Sequence, residues 1–185
     1  MLVLREGTEA DDELAHRRVA CPRCSEPLGR FGWARARVVR SFDGERLLRP
    51  RRAWCRRCGA SHVIFPAWAV PRRRDAADVI VAALVAKAAG EGHRRIAGAL
   101  GRPPATVRGW LRRASAQAEA IRTAATTFAC ALDPCLGAIS PRGSALGDAV
   151  EALGIAASAA VRRLGPRSAS GVAVAITGGL LVPSG

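Results

Sequence analysis

Residues 93–115 read HRRIAGALGRPPATVRGWLRRAS, and this stretch decides how the rest of the chain divides. Ile96, Ala97 and Leu100 recur at helical spacing and give a short apolar face. Val107, Trp110 and Leu111 give a second face. Between them Gly101, which has no Cβ to clash, can take the left-handed conformation that a tight turn requires. The small Ala97 lets the two helices approach, and Val107 and Trp110 lock the second across the first. Pro104 suits a first helical turn. Pro103 stands where a Ser or Thr cap is usual, and Gly109 should weaken the second helix by about 1 kcal/mol relative to alanine.

Working upstream, helical periodicity begins at Asp75, a candidate N-cap, with Val79, Ile80, Ala83 and Leu84 on one face. Gly90 and Gly92 end that helix. Downstream, the spacing predicts helices over about 93–100 and 104–130 and a further amphipathic helix over 144–164, stopped by Gly165-Pro166. The apolar side chains of this last helix, from Leu146 to Leu164, predict that it packs on the two preceding helices or pairs with a second copy of the chain. No rule determines residues 166–185.

Two cysteine pairs lie N-terminal to the helices: Cys21-Pro-Arg-Cys24 and Cys55-Arg-Arg-Cys58-Gly59. Two residues between cysteines form a tight turn that aims both thiolates at one ion. Two such turns complete a tetrahedron with Zn–S distances of about 2.3 Å. Four thiolates leave no open position for a catalytic water, so the expected Zn2+ is structural. His62 is kept out of the ligand set as a residue that opens the next strand. Cys130 and Cys135 lack a second pair and are expected to be semi-buried thiols near a helix end. Between the pairs, Val38-Val39 and Leu47-Leu48 flank Asp43-Gly44, a hairpin signal. Another strand is expected at Ser61–Phe65, before Pro66.

The sequence therefore predicts an α+β chain: a small β zinc ribbon, then a mainly α helix-turn-helix domain and a C-terminal helical segment. The boundaries are a flexible acidic leader over 1–17, the ribbon over 18–70, a basic linker over 71–74, the helix-turn-helix domain over 75–132, the helical segment over 133–165 and a tail over 166–185. Formal charge is +14. It is concentrated in residues 17–74, where sixteen arginines face only Glu26, Asp43 and Glu45. Such an excess points to a polyanionic partner. The arginine-for-lysine bias suits phosphate and guanine contacts, although a GC-rich coding sequence also produces it. No signal peptide or span of about 20 apolar residues is visible, and a cytoplasmic protein is expected.

The pairing of Ala97, Gly101, Val107 and Trp110 resembles the helix-turn-helix of bacterial regulators and transposases, whose second helix enters the major groove. On that resemblance Arg108 and Arg112, four apart on the exposed face, are placed to reach guanine or phosphate. Arg102, Thr106 and Arg113 are candidate phosphate contacts. The run CPRC, CRRCG, SHVIFPAW, GHRRIAGALG and TVRGWLRR resembles an actinobacterial family of unknown function that joins a zinc ribbon to a helix-turn-helix. The resemblance extends over residues 18–115 and on through the helix near Leu164. In layout the chain is also similar to the N-terminal part of insertion-sequence (transposase-type) proteins, where these modules bind transposon ends.

The resemblance implies a partner in double-stranded DNA and a role as transcriptional regulator or transposition-related accessory, with no small-molecule substrate and no membrane. A homodimer is left open. The alternative is an interaction module whose ribbon docks on protein or RNA while the helices act as scaffold. An enzyme is not expected. The sequence carries no nucleophile–base pair or phosphate loop. Beyond residue 115 only Glu119, Asp133, Asp148 and Glu151 are available as carboxylates, on helical or loop sequence.

Overall fold

The computed structural model describes residues 2–3 and 10–178. The fold is α+β. Strands β1 (Leu2–Val3), β2 (Gly29–Trp33), β5 (Arg51–Trp54) and β6 (Ser61–Phe65) form one sheet in the order β1-β6-β5-β2. β1 runs parallel to β6 and the other pairs are antiparallel. Strands β3 (Arg37–Ser41) and β4 (Gly44–Leu48) make a separate hairpin across the expected Asp43-Gly44 turn, with Ser41 opposite Gly44.

The sheet's inner face is small. Ala53 and Ile64 pack with Leu14, Val19, Leu28, Cys21 and Cys55. Leu14 comes from a short helix, α1 (Ala10–Ala15), which corrects the expectation of a flexible leader for these residues. The acidic run is tied to the ribbon rather than solvated: Asp12 and Glu13 pair with Arg18, and Asp11 pairs with Arg30 and Arg51. Residues 4–9 of that leader lie outside the described residues.

The helical part comprises α2 (Ala77–Ala88), α3 (His93–Leu100), α4 (Pro104–Ala116), α5 (Ala118–Leu132), α6 (Ala145–Leu164) and α7 (Ala169–Thr177). Val79, Ile80, Ala83 and Leu84 of α2 meet Ile96 and Ala97 of α3 and Val107, Trp110 and Leu111 of α4 in one core. Gly101 has φ 61° and ψ 38°, the left-handed conformation expected of it. α4 starts at Pro104. The helix expected over 104–130 is two helices. Gln117, at φ −111° and ψ 10°, breaks it, and the bend carries Ala118 and Ile121 into the core that already holds Ala114.

α6 begins where Ser144 Oγ accepts a hydrogen bond from the Gly147 N–H at 3.1 Å, and it packs against α2, α4, α5 and α7. Its apolar face is covered within the chain from Leu146 to Ala160, while Val161 and Leu164 at its last turn are exposed. Part of the segment expected to be a tail is α7, whose Ala173 and Val174 enter the same core. Residues 179–185 lie outside the described residues. Among the described residues, no helix is long and apolar enough to cross a membrane.

Residues 71–74 are no free linker. Pro71 is buried, the Arg40 N–H donates to Arg74 O at 2.7 Å, and the Ala76 N–H donates to Arg40 O at 2.8 Å. The hairpin is thereby stitched to the start of the helical part. Asp75 is not the expected N-cap either: α2 starts at Ala77, with Ala76 at the cap position. The Asp75 side chain is 3% exposed and accepts from Arg40 Nη2 at 2.9 Å and Arg102 Nε at 2.6 Å. A buried carboxylate needs partners more than a helix end needs a cap, because leaving it unpaired costs more.

Candidate metal centre and arginine-lined groove

The Sγ atoms of Cys21, Cys24, Cys55 and Cys58 lie within 4.8 Å of one another. Cys24 and Cys55 are 3.4 Å apart and Cys21 and Cys58 3.7 Å, much longer than a disulfide of about 2.0 Å. A tetrahedral ion with ligand bonds of about 2.3 Å needs sulfurs about 3.8 Å apart. The cluster could hold one metal ion on those terms.

The two turns repeat one pattern. The Cys21 N–H donates to Glu26 O and the Ser25 N–H to Cys21 O; the Cys55 N–H donates to Ala60 O and the Gly59 N–H to Cys55 O. The fifth residue of each turn is left-handed, Ser25 at φ 60° and Gly59 at φ 69°. An added Cβ at Gly59 would meet nothing within 4 Å, so any cost there is conformational. Gly59→Ala should therefore destabilise the protein by about 1–2 kcal/mol. Ser25→Gly should do the reverse, by somewhat less because glycine loses more entropy on folding. Chemical denaturation of the two variants checks the pair.

The cluster's electrostatics suit a cation. The Glu26 backbone pulls the Cys24 thiol down, but burial and the thiols of Cys55, Cys58 and Cys21 outweigh it and push Cys24 up to about 12. The Cys58 backbone helps draw Cys55 down to about 7. Four crowded thiols resist ionising together unless a positive ion joins them. His62, kept outside the ligand set, is buried with Nε2 3.5 Å from Cys21 Sγ, and burial disfavours its charged form. Cys130 and Cys135 are both exposed rather than semi-buried.

The second feature is a groove of about 580 Å³ where α4 meets residues 72–74. Arg108, Arg112 and Arg113 line it from α4, Arg72, Arg73 and Arg74 from the turn, and Arg40 from β3. Asp75 is the one carboxylate lining it among the described residues, and it is already engaged by Arg40 and Arg102. Arg108 and Arg112 are exposed. Thr106 and Arg113 are half-buried and also line the groove. Arg102 is placed differently: beyond its bond to Asp75 it donates to Leu100 O at 3.1 Å, so it braces the turn of the helix pair.

Burial, then the positive neighbours Arg113 and Arg72, pulls the Arg73 guanidinium below its ordinary value. The groove concentrates like charge that an anion would relieve. The neighbouring Arg72 has a left-handed backbone at φ 59°. Strain at a non-glycine residue is a common mark of a functional segment. Sequence reasoning separates the arginine triplet from α4 and misses Arg40. The only local signal is a basic run two residues ahead of α2.

Gly109 has a local explanation. A Cβ there would sit 2.9 Å from Arg113 Nη1, so the glycine makes room for a guanidinium lying along the groove. Because that atom is the far end of a flexible side chain, Gly109→Ala should raise stability by up to about 1 kcal/mol through helix propensity while displacing Arg113. Thermal melting of the variant checks the expected rise.

Residues 21–101 match a family model described as Domain of unknown function (DUF6431). The match takes in both cysteine pairs and ends at the turn glycine, Gly101. No curated protein and no solved structure matches the chain.

Proposed function

We propose that this chain is a DNA-binding protein, not a catalyst, in which α4 enters the major groove of a duplex and the arginines of residues 72–74 hold the flanking phosphates. The observation that carries the reading is the convergence of Arg108, Arg112 and Arg113 with Arg72, Arg73 and Arg74 on one groove. In this reading the four cysteines hold one structural Zn2+. Thiolate ligands in a tetrahedral, closed arrangement suit that ion. The layout fits a transcriptional regulator or a transposition-related accessory of the actinobacterial and insertion-sequence type that the sequence resembles.

Binding to preferred and scrambled duplexes across a salt series tests the reading. Arg108→Ala should cost about 1–3 kcal/mol on the preferred site and flatten base preference there. Arg72→Gly keeps the left-handed turn, and should weaken all duplexes alike and lower the salt slope by about 0.9, the value for one phosphate no longer neutralised. Equal weakening on both duplexes for Arg108→Ala would remove α4 as the reading element.

A second reading, a ribbon that docks on RNA, is favoured by the sheet's outer face. Phe31 and Trp54 are 51% and 38% exposed with ring centroids 6.2 Å apart, and the Arg52 guanidinium lies 5.3 Å from the Phe31 centroid. Exposed rings interleaved with arginine can stack on unpaired bases. Single-stranded RNA binding that is lost in a Phe31→Ala, Trp54→Ala double variant, with duplex binding absent in the parent, would favour this reading.

A further inference from the structure

Beside the first groove lies another, of about 560 Å³. Arg35 and Arg37 of the hairpin arm and Arg72, Arg73 and Arg74 wall it, and Pro50, Val63 and Phe65 are among its apolar lining. No carboxylate lines it among the described residues.

Arg37 is the group that calls for explanation. Its Nε and Nη2 are buried with no hydrogen-bond partner among the described residues. Its guanidinium carbon sits 4.7 Å from the Phe65 ring centroid. That contact holds the charge in place but satisfies none of its N–H groups in the plane of the fork. Burial pulls its pKa below the ordinary arginine value. Arg40 and Arg51 also bury an unpartnered Nε, but each has a carboxylate to offset its charge: Arg40 meets Asp75 and Arg51 meets Asp11. A guanidinium on a groove wall, flanked by further positive charge and facing no carboxylate among the described residues, matches an oxyanion that offers several acceptor oxygens at once.

We propose that this second groove is an oxyanion site, in which the Arg37 guanidinium and the flanking Arg35, Arg72 and Arg74 hold a phosphate group. The assignment does not depend on α4 reading DNA. A nucleic-acid backbone and a free phosphate ion offer the same chemistry, and the two sources are separable by experiment. If the source is a backbone, the two grooves share Arg72–Arg74 and form one track, so a bound strand would run from α4 onto the hairpin.

The test uses the full, metal-loaded chain. Melting is followed in a few millimolar inorganic phosphate and in chloride at matched ionic strength, a range where general salting effects are small and the Arg37 variant controls for them. Phosphate should raise the melting temperature of the parent. Arg37→Met, which keeps an unbranched stem over Phe65, should lose most of that rise. Arg35→Ala, a change at an exposed position that leaves the fold intact, should lose part of it and serves if Arg37→Met fails to fold. A rise that is absent in the parent, or equal in parent and variants, overturns the proposal. A second arm measures duplex binding against salt. A slope lower by about 0.9 in Arg37→Met identifies a backbone phosphate as the source, and an unchanged slope with the phosphate-dependent rise retained in the parent identifies free phosphate. Should the parent bind no duplex, the DNA reading fails and the melting arm still decides this site.

Discussion

One Zn2+ per chain is expected on elemental analysis of the purified protein, and its loss should melt the four-stranded sheet while leaving most of the helical signal. The sheet's inner core is a handful of side chains, Leu14, Val19, Leu28, Ala53 and Ile64, gathered around Cys21 and Cys55. So few apolar groups cannot offset the entropy of ordering the ribbon. A structural zinc contributes about 10–16 kcal/mol of apparent binding free energy in small zinc modules, enough to dominate that balance. The helices have a core of their own, shared by α2 to α7 from Ala77 to Val174. Cys21→Ser or Cys58→Ser should therefore lose the metal and the sheet signal together. Circular dichroism with a zinc-release assay during chelation checks this. Full metal retention in the quadruple Cys→Ser variant, or unchanged sheet structure after the metal is gone, contradicts it.

Asp75→Ala should destabilise the folded protein by about 3–5 kcal/mol, the usual cost of removing one partner of a buried ion pair. Asp75 is the only carboxylate that Arg40 and Arg102 meet among the described residues, and those arginines come from the hairpin and from the turn between α3 and α4. Its removal leaves two guanidinium groups facing each other in a partly dry site, so the cost exceeds that of one hydrogen bond. The damage should fall on the junction between ribbon and helices. Hydrogen exchange should accelerate at the Ala76 and Arg40 N–H groups, which bridge the two parts, before it does so within α5 and α6. Replacing Asp75, Arg40 and Arg102 together with apolar residues of similar volume should recover much of the stability, because the penalty comes from stranded charge.

Local chemistry makes much of this fold readable. The cysteine pairs, the Gly101 turn, the Asp43-Gly44 hairpin and the span of α6 each rest on residues within a few positions of one another. What is not readable rests on partners far apart in sequence. Asp75 bonds to residues 27 and 35 positions away, so an Asp ahead of a helix reads as a cap. α1 has only six residues and is held by arginines of the ribbon; no isolated helix of that length is stable. β2 and β5 escape for another reason. Four of the five residues of β2 are exposed and only Ala53 of β5 is buried, so neither strand shows the apolar alternation that marks a half-buried strand.

The same limit applies to the groove. Arg108, Arg112 and Arg113 are legible from helical spacing, and the 72–74 triplet from composition. Their convergence depends on the left-handed turn at Arg72 and on the stitch between Arg40 and residues 74–76, neither of which has a sequence signature. Arg102 stands close to α4 in sequence, but its guanidinium is held by Asp75 and does not line the groove with Arg108, Arg112 and Arg113.

Selection from a pool of randomised duplexes tests the central claim most directly. The metal-loaded parent and Arg108→Ala would each be taken through rounds of binding at about physiological salt, where a Debye length of about 8 Å suppresses purely long-range attraction. The account predicts that the parent enriches a short motif and that Arg108→Ala loses preference at one or more of its positions while still retaining duplex DNA. A parent that enriches no sequence, or an Arg108→Ala variant that enriches the same motif equally well, would contradict it.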